Sequence, residues 1–445
     1  MLFWYLKMDL PYSFFFRRLI KSQSLRSFFN ECLDWVWFGI AVFTVRKRHA
    51  DALKLVRKKS QLRVAFFVLE EAIWKCDEVF KEMLLSKEFS PFIFVCPNTS
   101  CEPENIFHEM KKTAAFFCAK KFETYTAYDF DSNSWVNVLD QLKPDIIFFS
   151  TPHHNTRLEY RIHSFPRTLT CYVPYGVMAA NLQKTQYNKV FHNLLWKHFL
   201  ETSVHKEMAI KYSRNKGSNA VVTGYPFLDD FFSSKKRECE KWKIKNSKIK
   251  KIIWAPHHSI EDDSAILGYS TFLKYHETML EIAIKYQNQI QLAFKPHPYL
   301  KSKLFRVSSW GTKKTNDYFS AWDNLSNGIV SEGSYFDLFL TSDAMIFDSI
   351  SFVTEYMCTG KSSLFLVKDS GVKDKFNEFG QRAFGLLYLG YDSNSIESFI
   401  QNVVIEGRDN MKSTRDSFVR DVLCPPNSYL ASENIIKNLK ESIWN

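Results

Sequence analysis

The sequence lacks a long apolar run. The most hydrophobic stretch near its start, Trp35-Val-Trp-Phe-Gly-Ile-Ala-Val-Phe43, spans 9 residues, whereas a membrane-crossing helix needs about 20. No small-residue cleavage site follows it, so a secretory leader is not expected. Glycine is scarce, at 14 residues. There is neither a G-x-G-x-x-G turn after the first apolar strand nor a Walker A loop, so simple dinucleotide and P-loop nucleotide binding lose support. The 9 cysteines, from Cys32 to Cys424, include no C-x-x-C pair; they read as reduced core thiols rather than a disulfide frame or zinc knuckle. No acidic pair of the DxD kind is compelling, and Asp262-Asp263 reads as a solvated loop. Adjacent His257 and His258 have no evident third ligand and neighbouring side chains diverge, so no metal site is expected.

What is present is size, aromatics and positive charge. A chain of 445 residues, 45% hydrophobic and 24% charged, can bury more than one core. An aromatic fraction of 16% argues against general disorder. The net charge of +11 is uneven: residues 1–63 hold 13 Lys/Arg against 4 Asp/Glu. Two readings of this basic aromatic segment stay open. It is either a partly buried helix leading into the first domain, or an interfacial anchor whose Trp and Phe enter the headgroup layer while Lys and Arg meet anionic lipid. No RNA or DNA module interleaves with these charges, so nucleic acid is not an expected partner.

From residue 64 short apolar runs alternate with helix-length segments. Val64–Val68, Pro91–Cys96, Ile146–Phe149, Leu169–Val173 and Ala220–Thr223 form one series. A basic, apolar-poor stretch near 232–249 follows, and then a second series begins: Lys251–Ala255, Ile290–Phe294, Ala344–Phe347 and Ser363–Val367. This is the pattern of βα units around parallel sheets. The expected organisation is an N-terminal segment 1–63, a Rossmann-like domain 64–235, a second Rossmann-like domain 236–392, and C-terminal helices 393–445 split by Pro425-Pro426. Such helices could pack back across the domain junction. Two α/β halves facing a cleft suit a donor on one side and an acceptor on the other.

The strands of the second series end in chemistry-bearing turns, where open α/β sheets present ligand sites. Lys295-Pro-His297-Pro298 is the sharpest: Lys295 supplies charge, and His297 either donates to a phosphate or acts as acid or base. Pro256-His-His258-Ser259 ends another strand, so His258 and Ser259 are candidates for a donor phosphate. Asp348-Ser-Ile-Ser351 lies between strand and helix, where Ser351 can cap or receive a phosphoryl group. Glu355 falls one turn on, suited to ribose hydroxyls or to a surface lysine. In the first half, His153 and His154 are candidate bases at the edge where an acceptor would enter.

Trp254-Ala-Pro-His-His258, Lys295-Pro-His-Pro298 and Ser342-Asp-Ala-Met-Ile-Phe-Asp-Ser-Ile-Ser-Phe352 running into Glu355–Lys361 resemble the CDP-glycerol glycerophosphotransferase family. These are the polymerases and primases of teichoic-acid-like polymers. Gly224-Tyr-Pro226 resembles the G-x-P element closing that family's first domain, and Asn427–Ile435 its closing helix start. The likeness covers about residues 64–440 and is strongest from 251 to 367. It implies a GT-B fold, a CDP-glycerol or related nucleotide-activated donor, and release of CMP. The implied acceptor is a polymer or lipid-linked precursor hydroxyl. It also implies a peripheral place on the inner face of the cell membrane. By resemblance His297 contacts the donor diphosphate, Asp348 and Ser351 match the family's Asp-Tyr-Ser-Ser element, and Glu355 reaches the nucleotide. Two departures stand out. The family's His-Gly-Thr turn, source of a candidate base, is Tyr172-Val-Pro-Tyr-Gly176 here, and Ile350 replaces the first serine. Alternatives are a GT-B glycosyltransferase using a nucleotide sugar for capsule or lipopolysaccharide, a nucleotide-sugar epimerase-like enzyme, and a non-enzymatic polymer-binding protein.

Overall fold

The computed structural model describes residues 23–233, 242–260, 268–333 and 335–445. The first 22 residues, part of the basic stretch near 232–249 and the pair Asp262-Asp263 lie outside the described residues, as do the side chains of 23–37 and of Ser351.

Continuous apolar runs make strands covered on both faces, and those strands build two parallel sheets. The first contains β1 (Leu62–Val68), β2 (Phe89–Val95), β3 (Thr124–Thr126), β6 (Ile146–Phe149), β7 (Leu169–Tyr172), β8 (Lys197–Leu200) and β9 (Ala220–Val222). Its order is β3-β2-β1-β6-β7-β8-β9, and a short hairpin of β4 (Tyr128–Asp129) and β5 (Ser134–Trp135) stands apart. The second contains β10 (Lys250–Ala255), β11 (Ile290–Phe294), β12 (Gly328–Val330), β13 (Ala344–Phe347), β14 (Ser362–Leu366) and β15 (Tyr388–Gly390), in the order β12-β11-β10-β13-β14-β15. Each order reverses beside the lobe's first strand, between β1 and β6 and between β10 and β13. Ligands of doubly wound sheets bind outside such switch points. These are two Rossmann-like lobes of a GT-B-like fold.

Register brings the second lobe's turns together. Ala255 pairs with Phe347, and Trp254 with Phe294. Pro256, Asp348 and Lys295, the next residues of their strands, therefore leave the sheet side by side. Beneath them Trp254 packs between Phe294 and Phe272, with ring centroids 5.0 and 5.8 Å away. This aromatic floor fixes the height of the loops above it.

The last helix, Ala431–Trp444, returns to the first lobe. Ile435, Leu439 and Ile443 are fully buried at four-residue spacing, the stripe a helix needs to dock. Its first turn is capped from across the chain: the Asp229 carboxylate accepts hydrogen bonds from the backbone N–H groups of Ala431 (2.7 Å) and Ser432 (2.9 Å). Gly224 makes the approach possible. Its φ is +87°, and a Cβ there would lie 2.8 Å from Pro425 and 3.0 Å from Ala431.

A second junction joins the loop after β7 to the loop after β14. Ala180 and Phe376 form an antiparallel bridge, and Asn377 donates its backbone N–H to Ala179 (2.9 Å). Glu201 braces this strap from below by accepting from the Met178 N–H at 3.1 Å, while His205 Nε2 lies 3.3 Å from the Met178 carbonyl. Burial pushes the Glu201 carboxyl up to about 7 from an ordinary 4.5. The folded state thus holds this proton more tightly than the unfolded chain. The resulting stabilisation is present below the unfolded value and is lost as pH rises through 7. Wild type should lose about 2 kcal/mol more stability than Glu201→Gln between pH 5 and pH 8. Urea unfolding at the two pH values checks this, and identical losses in both proteins would count against it.

The N-terminal segment contains a helix, Gln23–Val56. Phe38, Val42, Val45, His49, Ala52 and Val56 are buried on one face, which packs on the first lobe near β7 and the helix Val190–Leu194. The opposite face exposes Ile40 and, at 72%, Phe43 beside Lys47. Among the described residues no helix is long and apolar enough to cross a membrane.

Candidate active site

The carboxyl ends of β10 and β11 bring three imidazoles together. His257, His258 and His297 each offer a ring nitrogen within 4.8 Å of the others. The rings of His257 and His258 lie 4.3 Å apart by centroid, and those of His258 and His297 lie 4.1 Å apart. Sequence spacing alone suggests that the adjacent pair diverges and that a third partner is missing. The turn Pro256–Ser259 instead folds the pair to one side, and the register of β10 on β11 supplies His297.

The wiring of these rings decides what they present. His297 Nδ1 accepts the Tyr299 N–H at 3.2 Å, so the ring's proton sits on Nε2. His257 Nδ1 lies 2.8 Å from Ser259 Oγ. That hydroxyl oxygen already accepts the Tyr269 and Ser270 N–H groups at 3.0 and 3.1 Å, so its own proton goes to His257. Both rings therefore offer Nε2–H donors. A metal-ligating imidazole usually does the reverse, donating its second N–H outward and keeping a lone pair for the ion. Donors of this kind suit a phosphate oxygen better than a cation. Burial, reinforced by His258, Lys295 and Lys303, pushes the His297 imidazole down to about 3, so it is a neutral donor at physiological pH.

Ser259 and Asp348, both expected from the sequence to touch the donor, lie beneath the site. Ser259 is buried and occupied by the hydrogen bonds just described. The fully buried Asp348 carboxylate accepts the backbone N–H groups of His257 (2.6 Å) and Thr271 (2.5 Å) and the Thr271 hydroxyl (2.8 Å). It ties the β10 turn to the start of the helix Phe272–Lys285. Burial raises its carboxyl to about 6 despite those donors. Both residues are taken up in holding the turn that carries His257 and His258.

Lys295 is 5% exposed, donates to the Gly333 carbonyl at 3.3 Å, and lies 5.1 Å from the centre of the Tyr335 ring. Glu355, on the helix Ile350–Met357, is also 5% exposed and accepts the Tyr335 hydroxyl at 2.7 Å. Burial raises its carboxyl, opposed by Lys75, Tyr335 and Lys295. A ribose would have to share Glu355 with Tyr335. The backbone of Ser351 belongs to the first turn of that helix.

On the first lobe, His153 Nδ1 is 2.8 Å from Lys189 Nζ and Nε2 is 3.4 Å from the Tyr175 hydroxyl. An ammonium can only donate, so the ring's lone pair is committed to Lys189, and burial with that charge lowers the imidazole's pKa. His153 can act as a base only after Lys189 moves. His154 is exposed, and its carbonyl accepts from Arg161 at 2.9 Å. Tyr175, in the turn that replaces His-Gly-Thr, shares this edge. Lys189 and Tyr335 carry no motif, and no sequence signal singles them out; Tyr175 is marked only by its place in that turn.

The model of the CDP-glycerol:poly(glycerophosphate) glycerophosphotransferase family matches residues 175–439, more than half of the chain. The chain belongs to this family. It is therefore a transferase using a CDP-activated donor. No curated protein matches it. Among solved structures it is similar to a variant of the wall teichoic acid polymerase TagF, with 12% identity, 91% of this chain and 98% of that one covered, and a TM-score of 0.56. It is also similar to S. aureus MnaA with UDP (13% identity, 86% and 97% covered, TM-score 0.54). A UDP-GlcNAc 2-epimerase from Methanocaldococcus jannaschii is similar too (14% identity, 85% and 100% covered, TM-score 0.54). At these identities the likeness is one of fold.

Proposed function

We propose that this glycerophosphotransferase-family member moves glycerol phosphate, or a related polyol phosphate, from its CDP conjugate to a hydroxyl of a surface polymer or lipid-linked precursor. The acceptor oxygen forms a bond to the β-phosphorus, the bond from that phosphorus to the bridging oxygen breaks, CMP leaves, and the hydroxyl proton passes to a base or to solvent. The observation that carries the reading is the gathering of His257, His258 and His297 at the carboxyl edge of β10 and β11, with the Nδ1 atoms of His257 and His297 engaged by Ser259 and the Tyr299 N–H. Preorganised donors there stabilise charge that grows on the phosphoryl and leaving oxygens. His258 completes the cluster, Ser351 stands at a helix start suited to phosphate, and Glu355 is the nucleotide-side carboxylate. His153, His154 and Tyr175 line the acceptor edge.

Purified protein offered CDP-glycerol, CDP-ribitol and several nucleotide sugars with a membrane acceptor extract should release nucleotide only with the CDP-polyols, and only when acceptor is present. Acceptor-dependent release from a nucleotide sugar alone would move the assignment to a glycosyltransferase, whose product gains no phosphorus.

The reading places the enzyme at the inner face of the cell membrane. The outer face of the helix Gln23–Val56, with Phe43 and Lys47, gives the basic N-terminal segment something to lay on anionic lipid. The chain should co-sediment with phosphatidylglycerol vesicles but not phosphatidylcholine vesicles, with binding weakened about tenfold between roughly 0.1 and 0.5 M salt. Equal sedimentation with both lipids, or with neither, counts against attachment of this kind.

A further inference from the structure

Lys75 is a charged group for which the fold provides little local use. It lies on the first lobe between β1 and the helix Asp77–Leu85. Its ammonium sits 4.0 Å from the centre of the Phe227 ring. Among the described residues it makes no hydrogen bond and no close ion pair. The carboxylate that acts on it is Glu355, on the opposite lobe. Burial lowers the pKa of this amine, so keeping an ammonium here costs free energy that an anion must offset.

The surroundings are built symmetrically across the cleft. Phe227 and Tyr335 bring their ring centres to 6.2 Å from opposite sides. Lys75 lies over the first ring and Lys295 over the second. Both ammoniums act on the same carboxylate, Glu355, with Lys75 the stronger. Lys75 and Lys295 thus reach Glu355 from opposite lobes of the cleft.

We propose that Lys75 is the first lobe's contribution to the donor phosphate site: it faces Glu355 across the cleft when the site is empty and shifts onto the transferred phosphoryl group when the donor binds. This rests on the donor reading above and adds to it a residue from the acceptor lobe. Donor binding thereby becomes a contact between lobes. The phosphoryl group is held by Lys295 from one side and by Lys75 from the other, and Glu355 is released towards the nucleotide.

Calorimetric titration of the full chain with CDP-glycerol, CMP and inorganic pyrophosphate tests the assignment, with melting curves to confirm folding. Lys75→Met should weaken CDP-glycerol and pyrophosphate about ten- to a hundredfold, the worth of a charge-assisted contact. CMP, which lacks the transferred group, should change by no more than about threefold, and Lys75→Arg should keep most of the affinity. If Lys75→Met does not melt cooperatively, Lys75→Gln replaces it. Unchanged affinity for CDP-glycerol and pyrophosphate overturns the proposal. So does an equal loss for all three ligands, because that marks a residue that merely holds the lobe in shape. Pyrophosphate binding that depends on Lys75, in a protein that ignores CDP-glycerol, upholds Lys75 and sinks the CDP-glycerol reading instead.

Discussion

Replacing His297 with alanine is expected to lower turnover of the CDP-activated donor about a hundred- to a thousandfold, the usual cost of removing one preorganised donor to a charged transition state. The fold should survive, because the ring's internal contribution is one accepted hydrogen bond from the Tyr299 N–H, worth about 1 kcal/mol. The wiring sharpens the expectation. His297 presents Nε2–H and is held neutral by burial, so it serves as a donor rather than a base. His297→Gln, which can still donate from its amide, should recover about tenfold over His297→Ala. Acceptor-dependent nucleotide release at saturating donor makes the comparison. An alanine variant within about threefold of wild type removes His297 from the chemistry. A glutamine variant no better than alanine removes the donor role assigned to it.

The second large effect lies below the site. Asp348→Ala should cost about 3 kcal/mol or more, since it strips the acceptor from the His257 and Thr271 N–H groups and the Thr271 hydroxyl in a fully buried position. A fall of about 5 °C or more in melting temperature is the readout. Turnover should fall with it even where the protein remains folded, because the β10 turn that aims His257 and His258 loses its tie to β13. A variant that melts like wild type would mean that Asp348 is not the anchor its hydrogen bonds describe. A stability loss with full turnover would mean that the anchor does not set the histidines.

How much of this was legible in the sequence depends on how each feature is encoded. Strands written as uninterrupted apolar runs, such as Ile146–Phe149, Ile290–Phe294 and Ala344–Phe347, stand in the fold at the residues that the pattern marks. β8 lies between two strands of its sheet yet begins Lys197-His198, and its polar side chains conceal it from any hydropathy reading. β12 and β15 are three residues long and sit at the edges of theirs, too short to show a period. The turns at Lys295–Pro298 and Pro256–Ser259 are visible because histidine and proline cluster at strand ends. Their mutual distance is not visible, since it comes from strand order and register. Asp348 and Ser259 show the limit most plainly. Their places in strand-end turns mark them for the donor site, but only burial and partners reveal that backbone N–H groups occupy them. The acceptor edge is least legible: Lys189 belongs to no motif, the turn holding Tyr175 is marked only by the histidine it lacks, and their relation to His153 arises from the packing of separate loops.

The central claim is that phosphorus travels with the polyol. It is tested most directly by giving the enzyme CDP-glycerol labelled in both the β-phosphate and the glycerol, with a membrane acceptor, and measuring label in the polymer against CMP released. The account predicts one phosphate and one glycerol incorporated for each CMP. Glycerol transferred without phosphate, or nucleotide released with no label in the acceptor, would contradict it.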